Sequence, residues 1–285
     1  MPELPEVETV VRELRPRLVG RRLVAVQVSP LRLRQKWSRR WGPLLVGRRV
    51  QAVRRRGKWI IVDLDHDRHL LLHLGMTGQL TIARTQQPVA RHTHWIATLN
   101  SGREQLRYRD IRRFGSAAFL PSAARLAGFF HKAQLGPEPF DLDQGYWFAS
   151  LARTRRCLKA ALLDQRLVAG VGNIYADEAL FEARLFPGQL GIRTNRAQAE
   201  RLRQAIARVL NRAIERRGSS IRNYIGASGR QGDYQREFRV YGQTGKPCPR
   251  CRAPIRRLRL AGRSTHFCPR CQPATPARAS AGRPL

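Results

Sequence analysis

Lys58-Trp-Ile-Ile-Val-Asp-Leu64, a polar turn at Asp65 to Arg68, then His69-Leu-Leu-Leu-His-Leu74: this stretch decides the fold class. Two short apolar runs around a charged turn read as paired strands. On the N-terminal side, Leu23-Val-Ala-Val-Gln-Val28 is rich in strand formers. On the C-terminal side, Trp95-Ile-Ala-Thr-Leu99 runs into Asn100-Ser-Gly102, a hairpin signal. Short strands at regular spacing from about residue 22 to 120 predict a β-sandwich or barrel.

Leu135-Gly-Pro-Glu-Pro-Phe-Asp141 breaks that pattern and reads as an interdomain linker. Beyond it the period changes. Leu202, Ile206, Val209, Leu210, Ala213 and Ile214 recur at three- and four-residue steps, and Gly218 closes the helix they imply. A shorter helix is predicted from about Ile174 to Ala183. From Gln272 to Leu285 the chain is rich in Pro, Ala, Arg and Ser without periodicity, which predicts a disordered tail. There are no internal repeats.

Cys248-Pro-Arg-Cys251 and Cys268-Pro-Arg-Cys271 stand 16 residues apart. Two such knuckles supply four thiolates for one tetrahedral zinc, and a site closed by four cysteines is structural. The stretch between them carries Arg252, Arg256, Arg257, Arg259 and Arg263, with Gly262 as a turn that puts Arg263 at a hairpin tip. A hairpin this small has no core of its own and needs the metal. Cys157 is left over, as a small buried residue or spare thiol.

The chain has 285 residues, 54 Lys plus Arg against 20 Asp plus Glu, and a formal charge of +34. Such an excess is the electrostatic footprint of a polyanion-binding protein. Arginine dominates it, which favours planar two-point grip on phosphate. There is no basic amphipathic helix of membrane type and no apolar run of 18 residues, so nucleic acid is preferred to a membrane surface. No secretory signal is visible in the charged first 20 residues, and the unpaired cysteine fits a reducing, intracellular setting.

Met1-Pro-Glu-Leu-Pro-Glu-Val-Glu8 has two compatible readings. One is a helix start, with prolines in the first turn and acidic residues at the positive end of the helix dipole. The other is chemical. Removal of Met1 frees the secondary amine of Pro2, and an α-amino group titrates near 8, well below a lysine. Attack on a sugar C1 gives an iminium that keeps its charge at every pH, an electron sink for covalent catalysis. Glu3 lies beside it for proton transfer.

These pieces occur in one order with Arg56-Gly-Lys58, His73-Leu-Gly-Met-Thr-Gly78, Arg107-Tyr-Arg-Asp-Ile-Arg-Arg-Phe-Gly115, Leu135-Gly-Pro-Glu-Pro139, the run Leu163 to Leu180, Gly218-Ser-Ser-Ile221 and Val240-Tyr-Gly242. Together they resemble the bacterial formamidopyrimidine-DNA glycosylases, over residues 1 to about 272. The resemblance implies an α+β multidomain protein. Its parts are an N-terminal β-sandwich over 2–133, a linker over 134–150, a helix-two-turn-helix domain over 151–235, a zinc-finger β-hairpin over 236–272 and the tail 273–285.

It also implies roles. Pro2 is the nucleophile on C1′ and Glu3 the acid/base; Lys58 contacts the lesion and its phosphates, and Arg263 grips phosphate and assists δ-elimination. Without the resemblance, Lys58 is equally a strand-edge lysine and Arg263 a generic charge. Asn173 matches a phosphate contact, or else caps the helix before Ile174. His92, Arg112, Arg153 and Lys159 match further DNA contacts, with His94 near enough to compete with His92. For Arg153 and Lys159 a solvated helix face is the alternative. Met76, Arg112 and Phe114 match the trio that fills the hole left by an everted nucleotide, where eversion costs a few kcal/mol; core packing is the alternative for Met76 and Phe114.

The implied activity is base-excision repair of oxidised purines on double-stranded DNA. One structural zinc is expected (Cys248, Cys251, Cys268, Cys271), with no diffusible cofactor and no membrane, in a monomer acting on chromosomal DNA in a bacterial-type cytoplasm. A polar, Gly-containing loop from Ser219 to Tyr234 is expected to close over the everted base. Two other readings stand beside this one: an oxidised-pyrimidine glycosylase, against which Leu4 weighs, and a non-catalytic zinc-containing nucleic-acid-binding protein.

Overall fold

The computed structural model describes the chain except residues 30, 32, 34–37, 39, 101, 221–225, 228–230 and 275–285. The predicted tail, from residue 275 on, and much of the predicted closing loop therefore lie outside the described residues. Two compact units form. One comprises Met1–Glu138, Val168–Val171 and Leu210–Glu237; the other comprises Pro139–Leu167, Gly172–Val209 and Phe238–Leu285.

The first unit opens with α1 (Leu4–Leu18), which has Pro5 and Glu6 in its first turn and Arg15 and Arg17 in its last. Val7, Val10, Val11, Leu14 and Leu18 fall on one face at three- and four-residue steps and are buried. Each such burial stabilises the fold by about 1.5–3 kcal/mol. Strand β1 (Leu23–Val28), the short helix α2 (Trp41–Leu45), then β2 (Val50–Arg56), β3 (Trp59–Leu64), β4 (Arg68–His73), β5 (Gly78–Arg84), β6 (Thr93–Leu99), β7 (Glu104–Asp110), β8 (Ser116–Leu120) and α3 (Ala123–Lys132) follow.

The strands make two antiparallel four-stranded sheets, ordered β1-β6-β7-β5 and β2-β3-β4-β8. Val53, Ile60, Val62, Leu70 and Leu72 from one sheet share a core with Leu80, Trp95, Ala97, Leu106 and Tyr108 from the other, and with the buried face of α1. This is the predicted sandwich. The opposite face of β3, β4 and β8 is also covered: Ile61, Leu71 and Ala118 pack with Leu126 and the rings of Trp59, Phe129 and Phe130. Burial on both faces is why β3 and β4 read as continuous apolar runs rather than alternating ones. His66 and Asp67, with φ of 55° and 56°, form the tight turn between them.

The second unit holds α4 (Gln144–Ala152), α5 (Leu158–Leu163), α6 (Asn173–Glu182) and most of α7 (Arg196–Glu215), whose residues from Leu210 belong to the first unit. Trp147 is fully buried, and its Nε1 donates to the Ala199 carbonyl at 3.1 Å. A two-stranded hairpin closes the unit: β9 (Arg256–Leu260) and β10 (Arg263–Phe267). Its turn residues Ala261 and Gly262 both have positive φ, at 48° and 71°, so Arg263 is the first residue of β10 and stands exposed beside the turn.

Candidate active site

The start of α1 is fixed by groups distant in sequence. The Leu4 amide donates to Gly170 O at 3.1 Å. The Glu3 amide donates to Glu6 Oε2 at 2.8 Å, and Glu6 Oε1 accepts from the Ser219 amide at 2.7 Å and the Ser219 hydroxyl at 3.1 Å. Glu3 is only 3 % exposed, and Pro2 is buried too, while Met1 stands out in solvent. Lys58 is 7 % exposed, and its Nζ donates to Val171 O at 3.0 Å. Adjacent carbonyls, of Gly170 and Val171, therefore hold the helix start and the lysine. Gly170 has φ of +88°, and a Cβ there would lie 2.5 Å from Leu4 Cδ1. Only glycine lets the two segments meet.

Lys58 is aimed by the turn that precedes it. Glu138 accepts from the Gly57 amide at 2.6 Å, from Arg56 at 2.9 Å and from Arg55 at 2.7 Å. Gly57 takes φ of +57° and lies against Ala169. Arg55 is shared with Glu8 on α1. Burial pushes the Glu8 carboxyl up, but bonds to Arg12 and Arg55 outweigh it and hold the group below its usual range.

A second constellation in this unit carries Met76, Arg112 and Phe114. Asp110 is fully buried; it accepts from Thr77 Oγ1 at 2.5 Å and from the Gly115 amide at 2.7 Å. Thr77 Oγ1 in turn accepts from the Arg112 amide at 3.0 Å. A Cβ at Gly75 would strike the Gly115 backbone, so the loops after β4 and β7 touch main chain to main chain. Phe114 is 45 % exposed, and the Arg112 guanidinium stacks 4.6 Å over its ring. The exposed ring of Phe114 excludes core packing for that residue; Met76 is half-buried.

His92 is exposed with φ of 67°, whereas His94 is buried, with Nε2 2.9 Å from Asp110 O. Of the two, only His92 is free to meet a ligand. The segment before it is pinned by Arg107, which donates to the carbonyls of Pro88 at 3.0 Å and Gln87 at 2.7 Å.

In the second unit, Arg153 ends α4 and is exposed. Lys159 departs from expectation. It is 0 % exposed, and its Nζ meets Asp177 Oδ1 at 2.5 Å and Asn173 O at 2.8 Å. Neither a phosphate contact nor a solvated face fits that position; a buried carboxylate has claimed the ammonium. Asn173 is also displaced by one from the expected cap: Gly172 is the N-cap and Asn173 the first helical residue. Its Nδ2 donates to Ser264 O at 3.1 Å, and its buried Oδ1 meets no donor among the described residues. Of the Asn173 side chain, the other Nδ2 hydrogen can be offered to a phosphate, whereas Oδ1 accepts and cannot donate.

The four cysteine sulfurs lie within 4.8 Å of one another, with Cys248–Cys271 at 3.9 Å and Cys251–Cys268 at 3.4 Å. Zinc–sulfur bonds of about 2.3 Å in a tetrahedron require sulfur separations of about 3.8 Å. The amides of Arg250 and Cys271 point at the sulfurs of Cys248 and Cys268, both at 3.4 Å, as expected for thiolates. The set fits one zinc and leaves no ligand position open. Phe181, Val240 and Ile255 pack against it.

Sequence reasoning did not single out Glu6, Asp110, Glu138, Gly170 or Asp177 for what they do here. Glu6 alone had a local signal, its three-residue spacing from Glu3. Apart from the Gly115 amide on Asp110, the partners of the others lie far off in the chain.

Family descriptions match three stretches: "Formamidopyrimidine-DNA glycosylase N-terminal domain" at residues 1–117, "Formamidopyrimidine-DNA glycosylase H2TH domain" at 135–224, and "Zinc finger found in FPG and IleRS" at 245–274. The chain is 46 % identical over 262 residues to a formamidopyrimidine-DNA glycosylase of Moorella thermoacetica, covering 91 % of this chain and 95 % of that protein. It is 43 % identical over 259 residues to one of Solibacter usitatus, covering 90 % and 94 %. Among solved structures, a mutant of the Lactococcus lactis enzyme in complex with Fapy-dG-containing DNA superposes with a TM-score of 0.90 at 37 % identity, covering 96 % of this chain and 100 % of that one. The wild-type Lactococcus lactis protein bound to DNA with an oxidised pyrimidine gives 0.88 at 36 % identity, covering 96 % and 100 %.

Proposed function

Because the chain belongs to the formamidopyrimidine-DNA glycosylase family, we propose that it excises oxidised purines from duplex DNA and cuts the strand on both sides of the lesion. The support is the convergence at Gly170–Val171: the residue after the Pro2–Glu3 pair and the Lys58 ammonium dock on neighbouring carbonyls. A buried, immobilised terminus gives the near-attack geometry that amine catalysis needs.

Once Met1 is removed, the Pro2 nitrogen bonds to C1′ and the C1′–base bond breaks, the base leaving with a proton. Glu3 protonates the sugar oxygen as the ring opens. The resulting iminium acidifies the C2′ hydrogen. Loss of that proton expels the 3′ phosphate, and a second elimination, assisted by Arg263, expels the 5′ phosphate. Lys58 holds the lesion phosphates and assists the first elimination. Met76, Arg112 and Phe114 fill the vacated stack, the apolar groups replacing lost stacking and Arg112 satisfying the orphaned base. His92, Arg153 and Asn173 hold the backbone. Zinc, when bound, keeps the hairpin folded and has no chemical step, because thiolates fill its positions. The enzyme acts as a monomer on chromosomal DNA within the cell.

Borohydride trapping on an 8-oxoguanine:cytosine duplex tests the reading. The processed chain should give a covalent adduct, and Pro2→Gly, or a chain retaining Met1, should give none. Failure to trap on any oxidised duplex would leave only a nucleic-acid-binding protein. Faster release of thymine glycol than of 8-oxoguanine would move the substrate to oxidised pyrimidines.

A further inference from the structure

Helix α6 grips the free edge of β10 with two side chains one turn apart. Asn173 Nδ2 donates to Ser264 O at 3.1 Å. Asp177 Oδ2 accepts from the His266 amide at 2.9 Å and lies 2.9 Å from His266 Nδ1. Residues i and i+4 of a helix differ in height by about 6 Å. Residues i and i+2 of a strand are about 6.7 Å apart. The two spacings match, so the pair acts as a partner for one edge of the strand. A strand residue turns its N–H and C=O to one side and its neighbours turn theirs to the other. Ser264 and His266 face α6, and Arg263, Thr265 and Phe267 face β9, with which they are in register opposite Leu260, Leu258 and Arg256. A slip by one residue would strand both helix side chains.

The grip is electrostatically closed. Asp177 is 0 % exposed, and its other oxygen takes the Lys159 ammonium, which also bonds Asn173 O at the start of α6. The Tyr241 ring meets the His266 ring edge-on at 5.1 Å. One carboxylate thus ties α5, α6 and β10 together. β10 begins with Arg263, beside Gly262, where an added Cβ would meet only open space.

We propose that Asp177 is a positioning residue for Arg263: by locking the register of β10 on α6 it sets where that guanidinium is held, and so governs the second elimination. The inference rests on the role given above to Arg263. Its test is the ratio of β- to δ-elimination products from an abasic-site duplex at saturating enzyme, with trapping measured in parallel. Three variants are compared: Asp177→Ala, Asp177→Asn, and the double change Lys159→Met with Asp177→Leu, which leaves no buried ammonium unpaired. Each is first shown to carry one zinc per chain.

A misplacement of about 1 Å in a catalytic group can cost two orders of magnitude. Asp177→Ala and the double variant should therefore raise the β:δ ratio about tenfold or more, with trapping close to wild type. Asp177→Asn keeps an oxygen for the His266 amide and should fall between. A wild-type ratio in the alanine and double variants overturns the proposal, as does a parallel fall in trapping and both products, which marks a merely structural role. Amide exchange at residues 264–266 reads the lock without catalysis. It should quicken at least about tenfold in Asp177→Ala, and unchanged exchange also overturns the proposal. If the wild-type chain itself does not trap, the functional reading fails, and exchange still decides the lock.

Discussion

The sandwich and the cysteine hairpin hold their candidate side chains by opposite means. In the sandwich, α1 and two sheets share one apolar core, and buried polar groups such as Glu6 and Lys58 are satisfied inside it by backbone partners. Around the hairpin, Phe181, Val240, Ile255 and Ala253 pack with the cysteines, Asn173 and Asp177 hold one edge of β10, and four sulfurs gather at a single point. A large core can absorb an error at its edge. A knot of four ligands is all or none.

Metal removal should break that comparison most sharply. Structural zinc contributes about 10–16 kcal/mol of binding energy to small zinc folds. Chelation, or Cys268→Ser, should unfold the hairpin and abolish tight binding to lesion DNA. The sandwich should still melt cooperatively; calorimetry with metal analysis checks both, and a single shared loss of structure would make the two regions one cooperative body.

Gly170→Ala probes the sandwich at its least tolerant contact. The φ of +88° disfavours alanine, and the new Cβ would crowd Leu4 at 2.5 Å. Backbone strain and overpacking each cost about 1–3 kcal/mol. The melting temperature should fall accordingly, and trapping should drop more than stability does, because the displaced segment carries Pro2 and Glu3. Equal Tm and trapping to wild type would show that the contact relaxes freely.

The smallest effect concerns pH. Glu8 is held below its usual range in the fold by Arg12 and Arg55 against the opposing pull of burial. A depressed carboxyl contributes stability above its unfolded pKa near 4.3, and that stability is lost as pH falls through the folded value. The wild-type Tm should therefore drop more steeply than that of Glu8→Gln below about pH 4.3, by the equivalent of about 1 kcal/mol or less. Parallel curves would remove Glu8 from the acid response.

Much of this was legible in the sequence because the signal was local. The runs of β3 and β4, the cysteine spacing and the helix near Ile174 each depend on residues close in the chain. Arg263 beside the turn followed from Gly262. Lys159 was illegible: a charged helical residue reads as solvated, and the carboxylate that buries it, Asp177, stands 18 residues away. Asn173 as a cap failed by one position because Gly172 starts the helix with no side-chain bond. Glu138 anchors Arg55 to Gly57 across more than 80 residues, a pairing no window reveals.

The seat beneath Met76 and Phe114 is built of Asp110, Thr77 and glycine backbone, through bonds that neither of those two side chains makes. Mount and tool are separable. Where the apolar tips act as the wedge proposed above, descendants of this chain can exchange them for others, and so probe differently shaped gaps in a helix of bases, without having to relearn how to fold.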